Sequence, residues 1–144
     1  MIRFIPVEDT LAIRNEVLRE GKFTLDECRF PTDKLEGAFH LGYFHNDQLV
    51  CIASFHPQPY GEYNGAGYQL RGMATIEEYR GKGIGNQLVN SAIVYLRRQK
   101  ANYLWCNARV KAVPFYQNIG FEVISGQFEI PITGPHHVLY LKVQ

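Results

Sequence analysis

The sequence predicts one α+β domain built around a mixed sheet of about six to seven strands. Three observations carry this reading. Strand-like and helix-like segments alternate along the chain, with no repeat, low-complexity tract or linker to divide it. A length of 144 residues suits a single domain whose core needs no disulfide. The longest apolar stripe of helical period follows directly on a strand, through the glycine-rich stretch "GKGIG" (81–85).

Each element has a local cause. "IRFI" (2–5) suits a short strand that Pro6 ends, and Asp9 or Thr10 can cap a helix to about Glu20, with Leu11, Arg14 and Leu18 on one side. "TLDE" (24–27) is a capping-box sequence for a short helical piece stopped near Pro31. "GAFHLGYF" and "QLVCIASF" flank Asn46-Asp47 as the strands of a hairpin. The Pro/Gly/Asn-rich "HPQPYGEYNGAG" (56–67) is a loop, followed by the strand "YQLRGMAT" (68–75). Ile84, Leu88, Ala92 and Leu96, with Val89 and Ile93 beside them, form the buried stripe of a helix from about Gly83 to Gln99, which Asn102 can end. "YLWCNA" (103–108) reads as a buried strand. "PFYQNIGF" (114–121) is a short helix with Pro114 at its start and Gly120 just past its end. "FEVISGQFEI" and "HHVLYLKV" are two last strands joined by "PITGP".

Composition narrows the classes of function. Hydrophobic residues make up 46% and charged residues 20%, the balance of an ordinary globular protein. A formal net charge of +1 offers no footprint for nucleic acid or an anionic membrane, so neither is expected as a partner. The basic run "LRRQK" (96–100) falls at a helix end, where cations complement the dipole. "MIRFIPVEDT" lacks the pattern of a signal peptide, and no apolar run is long enough to span a bilayer. Cys28, Cys51 and Cys106 are far apart and form no CxxC pair, so they read as reduced core thiols of a cytoplasmic protein. Neither GxSxG nor HExxH occurs, and adjacent His136 and His137 would point to opposite faces of a strand, so no metal site is expected.

The glycines at 81, 83 and 85 need a reason, because glycine weakens a helix by about 1 kcal/mol relative to alanine. The first N–H groups of a helix lack internal partners and sit at the positive end of its dipole. Removing side chains around them lets a phosphate approach closely. A tight strand-to-helix turn without a ligand is the plain alternative. The spacing is neither GxxxxGK[ST] nor GxGxxG, which excludes the triphosphate loop and the dinucleotide fingerprint. It does fit [QR]xxGx[GA], as Arg80-Gly81-Lys82-Gly83-Ile84-Gly85.

Here the chain resembles the GNAT superfamily of N-acyltransferases, whose signature loop binds the pyrophosphate of coenzyme A. The triplet "MAT" (73–75) stands where that superfamily ends its strand, and Ala112, Phe115, Tyr116, Gly120 and Phe121 match its AxxFYxxxGF segment. The resemblance implies a three-layer α/β arrangement, with helices on both faces of the sheet and a splayed pair of parallel strands, 68–75 and 103–108. It implies acetyl-CoA as acyl donor, held by Met73, Ala74, Thr75, Arg80, Gly81, Lys82, Gly83, Ile84, Gly85 and Asn86. It further implies direct attack by an amine, polarisation of the thioester carbonyl by a strand N–H, and Tyr116 as the acid that protonates the departing sulfur. Cys106 is then a packed strand residue rather than a nucleophile. The acceptor would be the primary amine of a small molecule or an exposed peptide amine. A catalytically silent acyl-CoA-binding sensor or interaction module is the alternative.

Two positions depart from the superfamily's pattern. Leu104 stands where some relatives carry a glutamate base, and Arg109 where many carry an asparagine that contacts the cofactor arm; Asn107 is nearby but out of register. Glu129 and His136, in the last hairpin, are candidates for deprotonating the amine. Gln69 and Arg71 share one strand face by the two-residue period and can meet a polar acceptor, Arg71 favouring one that bears a carboxylate. Aromatic residues of 56–69 are candidates for lining the acceptor pocket. Monomer and homodimer are both compatible with the sequence.

Overall fold

The computed structural model describes residues 1–144. Eight strands, β1 (Ile2–Ile5), β2 (Phe39–His45), β3 (Gln48–Pro57), β4 (Gly67–Thr75), β5 (Tyr103–Arg109), β6 (Glu122–Val123), β7 (Phe128–Ile130) and β8 (Gly134–Lys142), form a mixed α+β fold. Their order is β1-β2-β3-β4-β5-β8-β6, with β7 also on β8. The chain forms two compact units, and β4 and the helix α2 (Ile84–Arg98) each contribute to both.

The first unit holds residues 1–57 and 70–92. It contains β1 (Ile2–Ile5), β2 (Phe39–His45), β3 (Gln48–Pro57), most of β4 (Gly67–Thr75) and the start of α2 (Ile84–Arg98). Asn46 and Asp47 take φ of +49° and +64°, the left-handed pair that closes a two-residue hairpin between β2 and β3. The first helix starts earlier than expected, because Pro6 presets the entry to a 3₁₀ turn at Val7–Thr10. Neither Asp9 nor Thr10 caps it; the Thr10 hydroxyl donates to the Val7 carbonyl instead. A short α-helix, α1 (Leu11–Ile13), then widens into a π turn at Arg14–Leu18. The capping box of residues 24–27 forms as predicted: the Thr24 N–H donates to Glu27 Oε1 and the Glu27 N–H to Thr24 Oγ1. In α2, Leu88, Val89 and Ala92 are wholly buried, which is the predicted stripe.

The second unit holds residues 58–69 and 93–144. It contains β5 (Tyr103–Arg109), α3 (Val113–Ile119), β6 (Glu122–Val123), β7 (Phe128–Ile130) and β8 (Gly134–Lys142). The segment 121–130, expected as one strand, is split between β6 and β7, which raises the count to eight. Ser125 stands in the break, where its hydroxyl accepts from the Val138 N–H of β8. The end of α2 is set by Lys100 at φ +62° rather than by Asn102. Asn102 instead holds the loop before β4, its Oδ1 accepting from the Ala66 N–H at 2.7 Å. The loop aromatics serve packing: Tyr60 lies 4.7 Å from Trp105, and Tyr63 stacks 4.7 Å from Tyr140. The Tyr60 N–H donates to the Tyr103 hydroxyl, and Trp105 Nε1 donates to the Gln58 carbonyl. Tyr60 packs partly buried against the Tyr103, Trp105 and Val138 core, while Tyr63 remains exposed.

His40 gives the fold a pH dependence. It is buried on β2, and burial lowers its pKa from 6.5 to about 4. The unfolded imidazole takes up a proton near its ordinary value, so the unfolded state binds more protons between these limits. Stability is therefore full above about pH 6.5 and falls as the pH drops toward 4, by at most about 3 kcal/mol. Urea unfolding at pH 7 and pH 4.5 should show His40→Gln losing less stability over that interval than the native chain. Equal losses would remove His40 from the acid response.

Candidate active site

The ladder between β4 and β5 is parallel and covers only Gly67–Gln69 against Tyr103–Trp105, although β4 runs on to Thr75 and β5 to Arg109. Pairing this short is what the splayed pair implied. Gln69 lies opposite Trp105 at the end of the ladder. Beyond it Gly72 sits at φ +64°, where a Cβ would come within 3.1 Å of the Phe30 ring and 3.3 Å of Arg14 Nε. Ala74 is buried, while Met73 and Thr75 are half-buried and Thr75 Oγ1 donates to Cys51 Sγ at 3.2 Å.

After β4 the chain makes a 3₁₀ turn at Glu77–Tyr79 and enters the glycine loop. Gly81 and Gly83 have φ of +74° and +77°, and a Cβ on either would meet no protein atom within 4 Å. Packing therefore does not require glycine here; the left-handed backbone does, and it leaves the loop's surface bare. The N–H groups of Gly81, Lys82, Gly83, Ile84, Gly85 and Asn86 donate to no backbone carbonyl; the ladder of α2 begins with Gln87 N–H to Gly83 carbonyl. No acidic side chain occupies the first turn of α2. Arg80 and Lys82 are exposed; Arg80 Nε donates to the Thr75 carbonyl, and Lys82 Nζ lies 5.3 Å from the Tyr79 ring centroid. Asn86 accepts from Asn90 Nδ2 one turn on. Bare backbone donors, the positive helix end and two cations fit a phosphate ester.

The first unit also buries a polar network that sequence reasoning missed. Arg14, at the start of the π turn, is 1% exposed and grips Asp33 with both terminal nitrogens, at 2.8 and 3.0 Å. Its NH2 also donates to Ser54 Oγ at 2.7 Å and its NH1 to the Cys28 carbonyl at 3.0 Å. His56 Nε2 is 2.9 Å from Asp33 Oδ1, which can only accept, so Nε2 donates there, and His56 Nδ1 shares a hydrogen bond of 2.8 Å with the Thr32 hydroxyl. Ser54 in turn hydrogen-bonds His40 Nδ1 at 2.7 Å. Burial pushes the Asp33 carboxyl up, but the bonds from His56, Arg14 and the Phe30 N–H outweigh it and hold the group well below the usual carboxylate range. Asp33, His40 and His56 come close enough to share a metal ion. Arg14 already occupies both carboxylate oxygens and supplies the positive charge, so these residues do not fit a metal. The sequence showed only an arginine on an apolar helix face; the pairing spans residues 14 to 56 and exists only in the fold.

The second unit carries the remaining candidates. Tyr116 is on α3, 7% exposed, with its ring 4.9 Å from Phe115 and 5.4 Å from Phe121, both edge-on. Cys106 is buried on β5, and burial pushes its thiol pKa far up. Leu104 is wholly buried, while Asn107 and Arg109 are exposed. Glu129 is exposed on β7, opposite Pro135. His136 is 5% exposed, opposite Arg109, with Nδ1 2.7 Å from the Gly134 carbonyl. A carbonyl only accepts, so Nδ1 carries the proton and Nε2 keeps the lone pair that a base needs.

Comparison with known proteins agrees with this geometry. The model of the acetyltransferase (GNAT) family matches residues 9–121. The chain is 39% identical over 140 residues to the uncharacterised N-acetyltransferase YitI of Bacillus subtilis (strain 168), covering 96% of this chain and 93% of that one. Among solved structures, FeeM, an N-acyl amino acid synthase from uncultured soil microbes, shares the fold with a TM-score of 0.81 at 15% identity, covering 99% of this chain and 90% of that one. An aminoglycoside 6′-N-acetyltransferase complexed with coenzyme A shares it with a TM-score of 0.71 at 16% identity, covering 100% and 97%. This chain belongs to the acetyltransferase (GNAT) family.

Proposed function

We propose that the protein is an acetyl-CoA-dependent N-acetyltransferase that moves the acetyl group to a primary amine by direct attack. The observation that carries this reading is the run of six N–H groups, Gly81 to Asn86, without carbonyl acceptors at a bare, positively charged helix entrance. Arg80, Lys82 and these N–H groups would hold the pyrophosphate, and the backbone of Met73, Ala74 and Thr75 the arm that follows. Bound acetyl-CoA supplies the activated acyl group as a thioester. Tyr116 donates its phenolic proton to the departing sulfur. Of the two candidates for taking the amine's proton, His136 already holds the tautomer required of a base, whereas Glu129 stands in solvent.

Cys106 supports direct transfer. A thiol kept protonated by burial is a poor nucleophile, so no acetyl-enzyme is expected. Thiol release from acetyl-CoA should appear with members of a mixed amine panel, and Cys106→Ala should retain it. Mass spectrometry of protein incubated with acetyl-CoA alone should show no added acetyl group. An adduct on Cys106 that an amine discharges would replace this route with a ping-pong one. Tight coenzyme A binding with no turnover on any amine would instead favour the acyl-CoA-binding module.

A further inference from the structure

Arg71, on β4, is the unbalanced charge of the first unit. It is partly buried, and neither a hydrogen bond nor an ion pair reaches it. Its one contact of consequence is the face of Phe30, whose ring centroid lies 4.1 Å from the guanidinium carbon. The same ring takes Arg14 at 4.0 Å. Burial lowers the Arg71 pKa, and the charge of Asp33, which makes no contact with it, offsets only part of that cost.

The carboxylate whose charge reaches it, Asp33, is held by Arg14 and His56. Arg19, which adds to the positive potential at Arg71, rests on the Phe23 ring and has no carboxylate either. Of the network's histidines, His40 is held toward its neutral form by burial. Nearby, Arg14 Nε is a buried polar atom with no hydrogen-bond partner. It lies beside Gly72, the left-handed residue that follows Arg71. The Phe30 backbone is tied to Asp33 by its N–H, and its ring covers the Arg71 guanidinium without using any of its N–H donors, which a carboxylate can take in pairs.

We propose that Arg71 binds a carboxylate on the acceptor, so that the amines this protein acetylates are amino-carboxylates. The proposal rests on the N-acetyltransferase reading above. Arg71 is two residues from Met73, at most about 7 Å along the chain, since the left-handed Gly72 between them shortens the run, and Met73 begins the segment assigned to the acyl arm. That separation suits an acceptor whose amine and carboxylate are a few bonds apart, and an α-amino acid meets the requirement. The Arg14–Asp33–His56–Thr32 network acts as positioning machinery: it neutralises Asp33 internally, holds Phe30, and leaves Arg71 unpaired for substrate.

Matched acceptors test this. Each of several α-amino acids is compared with its amide and with the amine left when the carboxylate is removed. The amide's amine is the less basic and is deprotonated more fully near neutrality, so intrinsic reactivity favours the amide. A preference for the acid must then come from recognition. The native enzyme should show kcat/KM at least tenfold higher for the acid, through KM, and Arg71→Gln should bring that ratio to one or below. Arg71→Lys should restore part of it. Circular dichroism of each variant checks the fold. Equal kcat/KM for acid and amide in the native enzyme, or an equal loss on both in Arg71→Gln, overturns the proposal. Better turnover of phosphoethanolamine than of the amino acids overturns the carboxylate assignment. If no amine of any class is acetylated, the enzyme reading fails, and binding decides the site alone. N-acetylated amino acids should raise the melting temperature of the native protein but not of Arg71→Gln, and no such difference overturns the anion site.

Discussion

Tyr116→Phe is expected to lower kcat for acetyl transfer by about tenfold to a thousandfold while leaving the affinity for coenzyme A nearly unchanged. The substitution removes one hydroxyl and nothing else of size. Tyr116 is buried edge-on against Phe115 and Phe121, and phenylalanine keeps both contacts. What disappears is the proton that we assign to the departing sulfur. General acid catalysis contributes typically about a hundredfold to ten-thousandfold. The smaller part of that range is expected, because a thiolate is already a fair leaving group. Cofactor affinity is set by the loop at residues 80–86, so kcat and Kd measured on one folded variant separate the two roles. An unchanged kcat with a good amine would make Tyr116 a core aromatic, the sulfur taking its proton from water.

Gly83→Val should weaken coenzyme A binding by about a hundredfold or more. A Cβ at this position would meet no protein atom, so the variant has room for the side chain. The φ of +77° is the difficulty, and a branched residue there costs roughly 1–3 kcal/mol of stability. The loss of affinity has a different origin. A side chain over the loop keeps a phosphate away from the N–H groups beneath, and each charge-assisted hydrogen bond lost costs about 1.5–3 kcal/mol. Gly21→Val separates these effects, because Gly21 has φ +74° and the same open space but lies outside the loop. Calorimetry should find coenzyme A affinity lost in Gly83→Val and kept in Gly21→Val. Equal affinities in the two folded variants would take the loop out of the phosphate site.

Much of the architecture was legible because it is local. The hairpin at Asn46-Asp47, the capping box at 24–27, the stripe of α2 and the Pro114 and Gly120 boundaries of α3 depend on residues within a few positions of one another. The same holds for the glycine loop. A run of backbone donors at a helix entrance is written in consecutive residues, so "RGKGIG" marked the candidate phosphate site before any fold was known. Local rules failed where a partner far along the chain competed. Pro6 overrode Asp9 and Thr10 at the first helix, Ser125 broke an expected strand by bonding Val138, and Asn102 left the helix end to hold Ala66.

What the sequence by itself determined is therefore the element order and the loop, set by short-range periodicity, turn chemistry and backbone freedom, and the family, through the resemblance of its two motifs. Only the tertiary structure decided which charges of the first unit are paired. Arg14, Asp33, His56 and Arg71 are separated by 15 to 57 positions in the sequence, and nothing local distinguishes an arginine that is paired from one that is not. Burial makes that distinction. Once water is removed, each carboxylate must be shared among the nearest cations, and the fold gives Asp33 to Arg14 and leaves Arg71 against Phe30 with no carboxylate in contact.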